Sequence, residues 1–445
     1  MSAFRAMRSL TGLLLLMFAA PTFAVTTVDL GTLYPDPAHP GKFLGDSYAY
    51  SVNTYGQVVG NAAYTDGKTR AFLWQPGSAH STSGTMKLLP TLWPDATHPG
   101  KYLGNSHAYG INANGSITGV SDTTNGQQHA FRWTPSGANT TTGTITDLGM
   151  MSSGTYSYGC AINSSAQIAG FGNTLSHGLM DAHGFRYASS FSDFMIDNAI
   201  ANPGTDLPDP TYLCHGMEWE GSYGINDAGV VVSGDLIEIY GVGAIGYGHA
   251  FVCTAPTARD AHGQLYDLRG TYSVYGSYAS SVNNSVGYHL VGTTDGVPNN
   301  TIGPSRTIFD PHAFFHVGLD HLVAPSGAGP GDDLGTLGGK TSYAFGLNDS
   351  DQIVGAADTL VYDPEFNRMN SGPRHACYWG GAPGTTGNGI VDLNTLVPNG
   401  FVLTLELARG INNPPTGSTT VEIVGWGTTV PVNGQFNYHA FLMSK

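Results

Sequence analysis

The feature that most constrains this chain is repetition. One segment occurs seven times: a small residue, then Ile-Asn, Val-Asn or Leu-Asn, a turn, and "QVVG" or a variant of it. It reads "AYSVNTYGQVVG" from 49, "AYGINANGSITG" from 108 and "AFGLNDSDQIVG" from 344. The Asn common to all copies is Asn53, Asn112, Asn163, Asn226, Asn283, Asn348 and Asn412. A second block, His-Ala-Phe-x-Trp or a relative, follows each copy. It is "HAFRW" at 129, "HGFRY" at 183, "HAFVC" at 249, "HAFFH" at 312, "HACYW" at 375 and "HAFLM" at 439, with "RAFLW" at 70. A third, Asp-Leu, often "DLGTL", stands at 29, 147, 267, 333 and 392, with Leu88-Leu89 and Ile196-Asp197 as degraded forms.

A side chain doing chemistry is needed once; one that returns in every unit belongs to the building block. The alternation of apolar and polar residues in "GQVVG" and "HAFRW" has the period of strands. Asn opening a turn can bond its own backbone two residues on, and Gly at the turn tolerates positive φ. Ala166 and Asp351 hold that Gly position in two units. Each unit therefore supplies four strands: the Asn segment, the "QVVG" segment, the His-Ala-Phe segment and the Asp-Leu segment.

Four antiparallel strands in about 60 residues cannot bury both faces alone, and a ring of stacked units leaves no exposed end. The sequence thus predicts an all-β fold: a seven-bladed β-propeller with four antiparallel strands per blade, residues 25–445. The mature chain begins with a fourth-strand motif, "TTVDLGTL", and stops after a third-strand motif, "HAFLM". The ring is expected to close by the N-terminal strand pairing with the last blade. Small residues in the first strand (Ala49, Ala108, Gly110, Ala344, Gly346) assign it to the crowded inner edge. The repeated His residues are read as buried hydrogen-bond partners, with Phe and Trp filling the space between blades.

Charged residues make up 11% of the chain and Gly numbers 62, a composition of short strands and turns. The net charge of -15 repels phosphate backbones and argues against nucleic acid as a partner. Residues 1–24 read as a secretory signal: Arg5 and Arg8, the run "LTGLLLLMFAA", then Thr22-Phe23-Ala24. The run is too short for a membrane span, and the expected location is secreted, extracellular or periplasmic. Cys160, Cys214, Cys253 and Cys377 show no C-x-x-C spacing, so no zinc site is expected, and no cofactor motif is present. Small buried thiols are the simpler reading; a Cys160–Cys214 bridge is one of the open pairings.

In "DLGTLGG" at 333, "AFGLNDSDQIVG" at 344 and "HACYW" at 375, the chain resembles the exported bacterial HAF repeat proteins, named for the triplet seen here at 129, 249, 312 and 439. The resemblance covers about 26 to 445. It implies a secreted or surface-associated repeat protein and transfers no catalytic residues.

H-E-x-x-H, G-x-S-x-G, P-loop and EF-hand patterns are absent. "GDSYAY" at 45 has a lipase-like look, but its sister "GNSHAY" at 104 loses the Asp, so the Ser is read as a repeat position. Candidate sites fall on loops, because the strands are committed to packing. "YPDPAHPGKFLGDS" (34–47) and "WPDATHPGKYLGNS" (93–106) are near copies found in two units only. They present Asp36, His39 and Lys42, then Asp95, His98 and Lys101, with Tyr34, Trp93 and Tyr102 as rings able to stack on sugars. Both should project from the same rim face; a loop copied along with a duplicated unit is the competing, simpler reading. The segment 199–221 interrupts the rhythm and gathers His215, Glu218, Trp219 and Glu220. The expected function is non-catalytic: a rim face that binds a ligand or partner, glycan or cell-surface material. The alternatives are an extracellular polysaccharide lyase or hydrolase with its site in these loops, and a passive matrix or adhesive component.

Overall fold

The computed structural model describes residues 25–445 apart from 152, 177–178, 194–211, 216–223, 240–246, 255–264, 269–276, 299–308, 321, 323–331, 364–367, 381–388 and 430–435. The chain forms seven antiparallel sheets arranged as the blades of a propeller. Blade 1 shows the unit: Ser47–Val52, Val58–Ala63, Thr69–Pro76 and Gly84–Leu88, paired in that order. Blade 7 is built from both ends of the chain. Leu403–Ile411, Glu422–Thr429 and Tyr438–Ser444 supply three strands, and Thr26–Gly31 adds the fourth, with Thr26 opposite Ser444 and Asp29 opposite Phe441. The ring closes as the repeat pattern requires.

The first strand of each blade lines the axis, which explains its small residues. It also carries a bulge in most blades, for example between Ala49 and Ser51 and between Ala108 and Gly110. The Gly that ends "QVVG" sits opposite this strand. A Cβ on Gly60 would lie 1.9 Å from the Tyr48 carbonyl oxygen, and one on Gly119 1.9 Å from that of His107. Only a residue without Cβ lets the second strand approach so closely.

The core lies between blades, not within them. Leu73, Leu89 and Val59 of blade 1 pack with Ile117, Phe131 and Trp133 of blade 2. Trp74 and Phe72 pack against Leu442 and Val424 of blade 7. Removing a ring such as that of Trp133, which is 1% exposed, costs about 3–5 kcal/mol by loss of burial and by the cavity left.

The shared Asn joins the blades. Its Oδ1 accepts from the backbone N–H four residues on, as at Gln57 (3.0 Å), Ser116 (2.9 Å) and Gln167 (2.9 Å). Its Nδ2 crosses to the backbone oxygen of the equivalent Asn in the next blade. Asn53 donates to Asn112 (3.1 Å), Asn112 to Asn163 (2.9 Å) and Asn163 to Asn226 (3.0 Å). Asn226 donates to Asn283 (3.0 Å), Asn283 to Asn348 (2.9 Å), Asn348 to Asn412 (3.0 Å) and Asn412 back to Asn53 (3.1 Å). Ala166 and Asp351, in the Gly place of the turn, adopt the left-handed conformation at φ 57°.

The repeated His has a partner too: the Asp of the Asp-Leu motif on the neighbouring outer strand. His129 Nδ1 meets Asp147 at 2.9 Å, His312 meets Asp333 at 3.0 Å and His375 meets Asp392 at 2.7 Å. His439 meets Asp29 at 2.9 Å and so clamps the N-terminal strand into the last blade. The Asp also caps its own turn, as Asp147 Oδ1 accepts from the Gly149 N–H at 2.7 Å. In blade 1 Arg70 replaces His and the outer strand has lost its Asp. The guanidinium instead reaches Asp66 (2.6 Å) and the carbonyl oxygens of Tyr102 (3.2 Å) and Gly104. The side chains of His183 and His249 lie outside the described residues.

Some elements differ from the sequence reading. The outer strand of blade 3 is Phe191–Asp193, which pairs with Phe185–Tyr187; Ile196-Asp197 lies outside the described residues. Among the described residues the sheet of blade 5 has three strands, with Asp333 in an isolated bridge to Phe314. Tyr212–His215, expected as inserted loop, pairs as a strand with Leu236–Ile239 of blade 4. Cys160 is a free buried thiol, so the bridge to Cys214 is not formed. Cys160 lines the central channel, whereas Cys214 sits on the strand paired with the far end of the second strand of blade 4. Residues 1–24, read as a signal, lie outside the described residues.

Candidate functional site

Antiparallel order gives the ring two unlike faces. The Asn turns and the connections from third to fourth strand lie on one, the turn face. The hairpins between second and third strands, and the connections from each outer strand to the next blade, lie on the other, the loop face. The near-copy loops 34–47 and 93–106 are both of the latter kind, so both sit on the loop face.

Each near-copy loop is a small hairpin that closes on itself. Asp36 N–H donates to Lys42 O at 2.9 Å and Leu44 N–H to Tyr34 O at 2.8 Å; Asp95 and Leu103 repeat the bonds with Lys101 and Trp93 at 2.9 and 2.7 Å. Asp36 Oδ2 takes His39 Nδ1 at 2.8 Å, and Asp95 Oδ2 takes His98 Nδ1 at 2.8 Å. The other oxygens accept from the Ala38 and Thr97 N–H groups at 2.8 Å. Bonds from His39 and Ala38 hold the Asp36 carboxyl below its ordinary range. Bonds from Thr97 and His98 do the same for Asp95. The imidazoles are exposed, at 70% and 72%. Lys42 and Lys101 are exposed, and Trp93 and Tyr102 are half-buried. Trp93 lies against the backbone of Gly104, where a Cβ would come within 3.1 Å of its ring. The carboxylates are thus spent on shaping the hairpins, as Asx turns do. Glu218, Trp219 and Glu220 lie outside the described residues. His215 is placed on its strand, with its side chain outside them.

The Ser of "GDSYAY" is no nucleophile. Ser47 is fully buried; its Oγ donates to Gly31 O at 2.6 Å and accepts the Ala440 N–H at 2.9 Å. Ser106, Ser157, Ser277 and Ser342 accept the same N–H, that of Ala71, Ala130, Ala250 and Ala313, at 2.9–3.0 Å.

A cavity lies on the axis. It has about 170 Å³ and is walled by the first strands of all seven blades, with Tyr50, Tyr109, Cys160, Ser280, Phe345 and Arg409 among its lining. These six hold one repeat position, two residues before the Ile-Asn pair begins in the motif's shortest form. Two residues earlier stand Tyr48, His107, Tyr158, Tyr278 and Tyr343, nearer the loop face. The two tiers hold two groups of rings, one in blade 6 beside Arg409 of blade 7 and the other an arc across blades 7, 1 and 2. Arg374 lies 4.4 Å above the Tyr343 ring, Tyr343 stacks on Phe345 at 6.3 Å, and Arg409 lies 4.7 Å from Phe345. Trp426 meets Tyr48 and Tyr50 edge-on at 5.4 and 5.8 Å. Tyr50 meets Tyr109 at 5.2 Å, and Tyr109 stacks on His107 at 6.0 Å.

Burial holds His107 below the usual imidazole range despite Asp122, so at neutral pH its ring is an uncharged member of the arc. Burial pushes the Cys160 thiol up to about 12, with Arg409 opposing, so it carries no thiolate to act as nucleophile. Among the described residues no group of three or more His, Cys, Asp or Glu gathers to hold a metal ion. No helix among them is long and apolar enough to cross a membrane. The chemistry on offer is stacking by aromatic faces with polar edges beside them.

In "AYSVN", "AYGIN" and "AFGLN" the small residues mark the inner strand, and the aromatic residues beside them carry the site.

No protein-family model and no curated protein matches the chain. Among solved structures it is similar to a neuraminidase-like protein of a flat-faced bat isolate from Peru, at 8% identity over 95% of this chain and 93% of that one, with a TM-score of 0.38. It is also similar to an α-L-arabinofuranosidase from Fusarium graminearum, at 10% identity over 94% and 97% of the two chains, with a TM-score of 0.38. A protein of unknown function from Dyadobacter fermentans aligns at 11% identity over 94% and 99%, with a TM-score of 0.36.

Proposed function

We propose that this chain is an exported, non-catalytic binding protein of the HAF repeat type, and that it holds a glycan against the aromatic arc at the mouth of its central channel. The observation that carries this reading is the arc itself. Tyr48, Tyr50, Tyr109, His107 and Trp426 form one run of rings spaced 5.2–6.0 Å apart beside a channel of about 170 Å³. Aromatic faces set side by side on a rigid scaffold suit the apolar faces of sugar rings, and the hydroxyls and guanidinium beside them suit their polar edges. The near-copy hairpins of the same face are its rim, where Lys42, Lys101 and the two exposed imidazoles can meet the parts of a longer ligand that leave the arc.

The test is a glycan array run on the whole chain with and without a chelator, then titration of any hit against Trp426→Ala and Tyr109→Ala. Each truncation should weaken binding about tenfold or more, as loss of a buried aromatic anchor does. Unchanged affinity in both variants would refute the arc as the site. Cleavage of the bound glycan would refute the non-catalytic reading and favour a glycan-active enzyme.

A further inference from the structure

The seam between blades 7 and 1 differs chemically from its neighbour. At the seam between blades 1 and 2 the parts are neutral amides. Asn53 Nδ2 donates to Gln57 Oε1 (2.8 Å) and to Asn139 Oδ1 (3.1 Å), and Gln57 Nε2 donates to Asn139 O (3.2 Å). Gln167 and Gln352 take the Gln57 role in blades 3 and 6, accepting from Asn163 (2.8 Å) and Asn348 (2.7 Å). At the 7/1 seam Asn412 keeps the first amide, and the other two have ionisable substitutes. Glu422 stands in the Gln place: its N–H donates to Asn412 Oδ1 at 2.8 Å and its Oε2 accepts from Asn412 Nδ2. His80 stands in the Asn139 place. Both are left-handed, at φ 59° and 57°, and both donate their N–H to a turn carbonyl, of Tyr55 (3.0 Å) and of Asn114 (3.1 Å). His80 Nδ1 reaches Glu422 Oε2 at 3.2 Å, joining residues 342 apart.

The setting of Glu422 is severe. Its side chain is 1% exposed, and Oε1 has no hydrogen-bond partner. Gly56 of blade 1 approaches so closely that a Cβ there would lie 2.8 Å from Oε1. The strands packed on that of Glu422 carry Glu406 and Arg409, Tyr438 and His439, and Tyr48 and Tyr50 of blade 1, the first four set opposite residues 424–428 rather than Glu422; at its own end stand His80 and Tyr55 of blade 1 and Lys445. The Lys445 ammonium is engaged elsewhere, 4.0 Å from the Tyr378 ring centroid. Of these titratable groups His80 alone bonds the carboxyl, and its own side chain is 31% exposed.

We propose that this seam is a proton-operated latch on ring closure, tight while the Glu422–His80 pair holds a proton and loosened when that proton leaves. With the proton in place the pair is neutral overall, either as carboxyl and imidazole or as carboxylate and imidazolium. When it departs to solvent, a net negative charge remains at a buried site with one oxygen undonated, and burial without a donor penalises it. The strands held by the latch are the C-terminal ones, which close the circle. Burial raises the Glu422 carboxyl above its ordinary range, while His80 and Asn412 pull the other way. A group raised in the fold stabilises it fully below the unfolded value and loses that contribution as pH rises through the folded value.

The test is hydrogen exchange of the full chain at roughly pH 5 and pH 8, corrected for intrinsic rates and read on segment 438–444 against segment 117–122 of blade 2. Protection of 438–444 relative to 117–122 should fall about tenfold at the higher pH. Glu422→Gln, which restores the amide found in blades 1, 3 and 6, should abolish the difference. His80→Asn should move the fall to higher pH, since the side chain that opposes the rise of the Glu422 carboxyl is gone. A wild-type ratio that does not change with pH would overturn the latch, as would a Glu422→Gln ratio that falls like wild type. Should Glu422→Gln not fold, a His80→Asn profile identical to wild type overturns it equally.

Discussion

Asn412 donates its side-chain Nδ2 to the backbone oxygen of Asn53 at 3.1 Å, joining the last turn to the first across 359 residues. This is the seventh bond of a closed circle, the other six running from blade to blade through the same atoms. One amide therefore does two jobs: its oxygen folds the local turn, and its NH₂ sets the distance to the next blade.

Asn112→Asp separates the two jobs. The carboxylate can still fold the turn at Ser116, but it turns a donor into an acceptor facing the Asn163 oxygen, now 2.9 Å from Nδ2. Destabilisation of about 1–3 kcal/mol is expected, from a buried acceptor left without its donor. A urea midpoint equal to wild type would show that the circle contributes nothing.

Gly119→Ala tests the close approach of the first two strands. The new Cβ would meet His107 O at 1.9 Å, with backbone on both sides and nowhere to relax. A loss of about 1–3 kcal/mol or more is expected. Gly126, with open space round it and a φ of 82°, isolates the backbone effect. Gly126→Ala should cost less than Gly119→Ala, and thermal melts of the two variants decide the order.

Ser47→Ala removes a buried hydroxyl that both donates and accepts, leaving the Ala440 N–H and the Gly31 oxygen unmatched. The expected result is a loss of about 1–3 kcal/mol in stability with ligand affinity unchanged. A variant of full stability that had lost a chemical activity would reinstate the Ser as a nucleophile.

His312 bonds acceptors through both ring nitrogens, Asp333 through Nδ1 (3.0 Å) and the Lys340 oxygen through Nε2 (3.1 Å). Burial opposes its charge, but the bonds and charge of Asp333, with the Lys340 oxygen, outweigh it and raise the imidazole above its ordinary range. Its stabilising contribution should be complete below about pH 6.5, the unfolded value, and disappear as pH rises through the folded value. Comparing urea midpoints of wild type and His312→Gln from acid to mildly alkaline pH should show the gap narrowing upward. A gap that widens would reverse the assigned charge.

Much of the architecture could be read from the repeats. The Asn positions marked the inner turns, the orphan "TTVDLGTL" announced the zipped last blade, and small residues at Ala49, Ala108 and Gly110 named the inner edge. The His reading held in kind, since His129 and His439 are buried and bonded to Asp147 and Asp29. The site was less legible. Asp36 and Asp95 drew notice as chemistry-bearing groups, yet their bonds to His39 and His98 fold their own hairpins. The rings of Tyr50, Tyr109 and Trp426 passed unremarked, because one strand does not say which rings from three blades will meet.

By itself the sequence determined the number of blades, the order of strands within them and the turns that join them. These follow from period, alternation and bonds spanning a few residues, all of which a linear pattern records. Only the tertiary structure decided which atoms meet across blades: the Asn circle, the His439–Asp29 clamp, the aromatic arc and the Glu422–His80 pair. Those contacts join residues from about 50 to more than 400 positions apart, and their geometry exists only once the ring has closed and fixed the angle between neighbouring sheets.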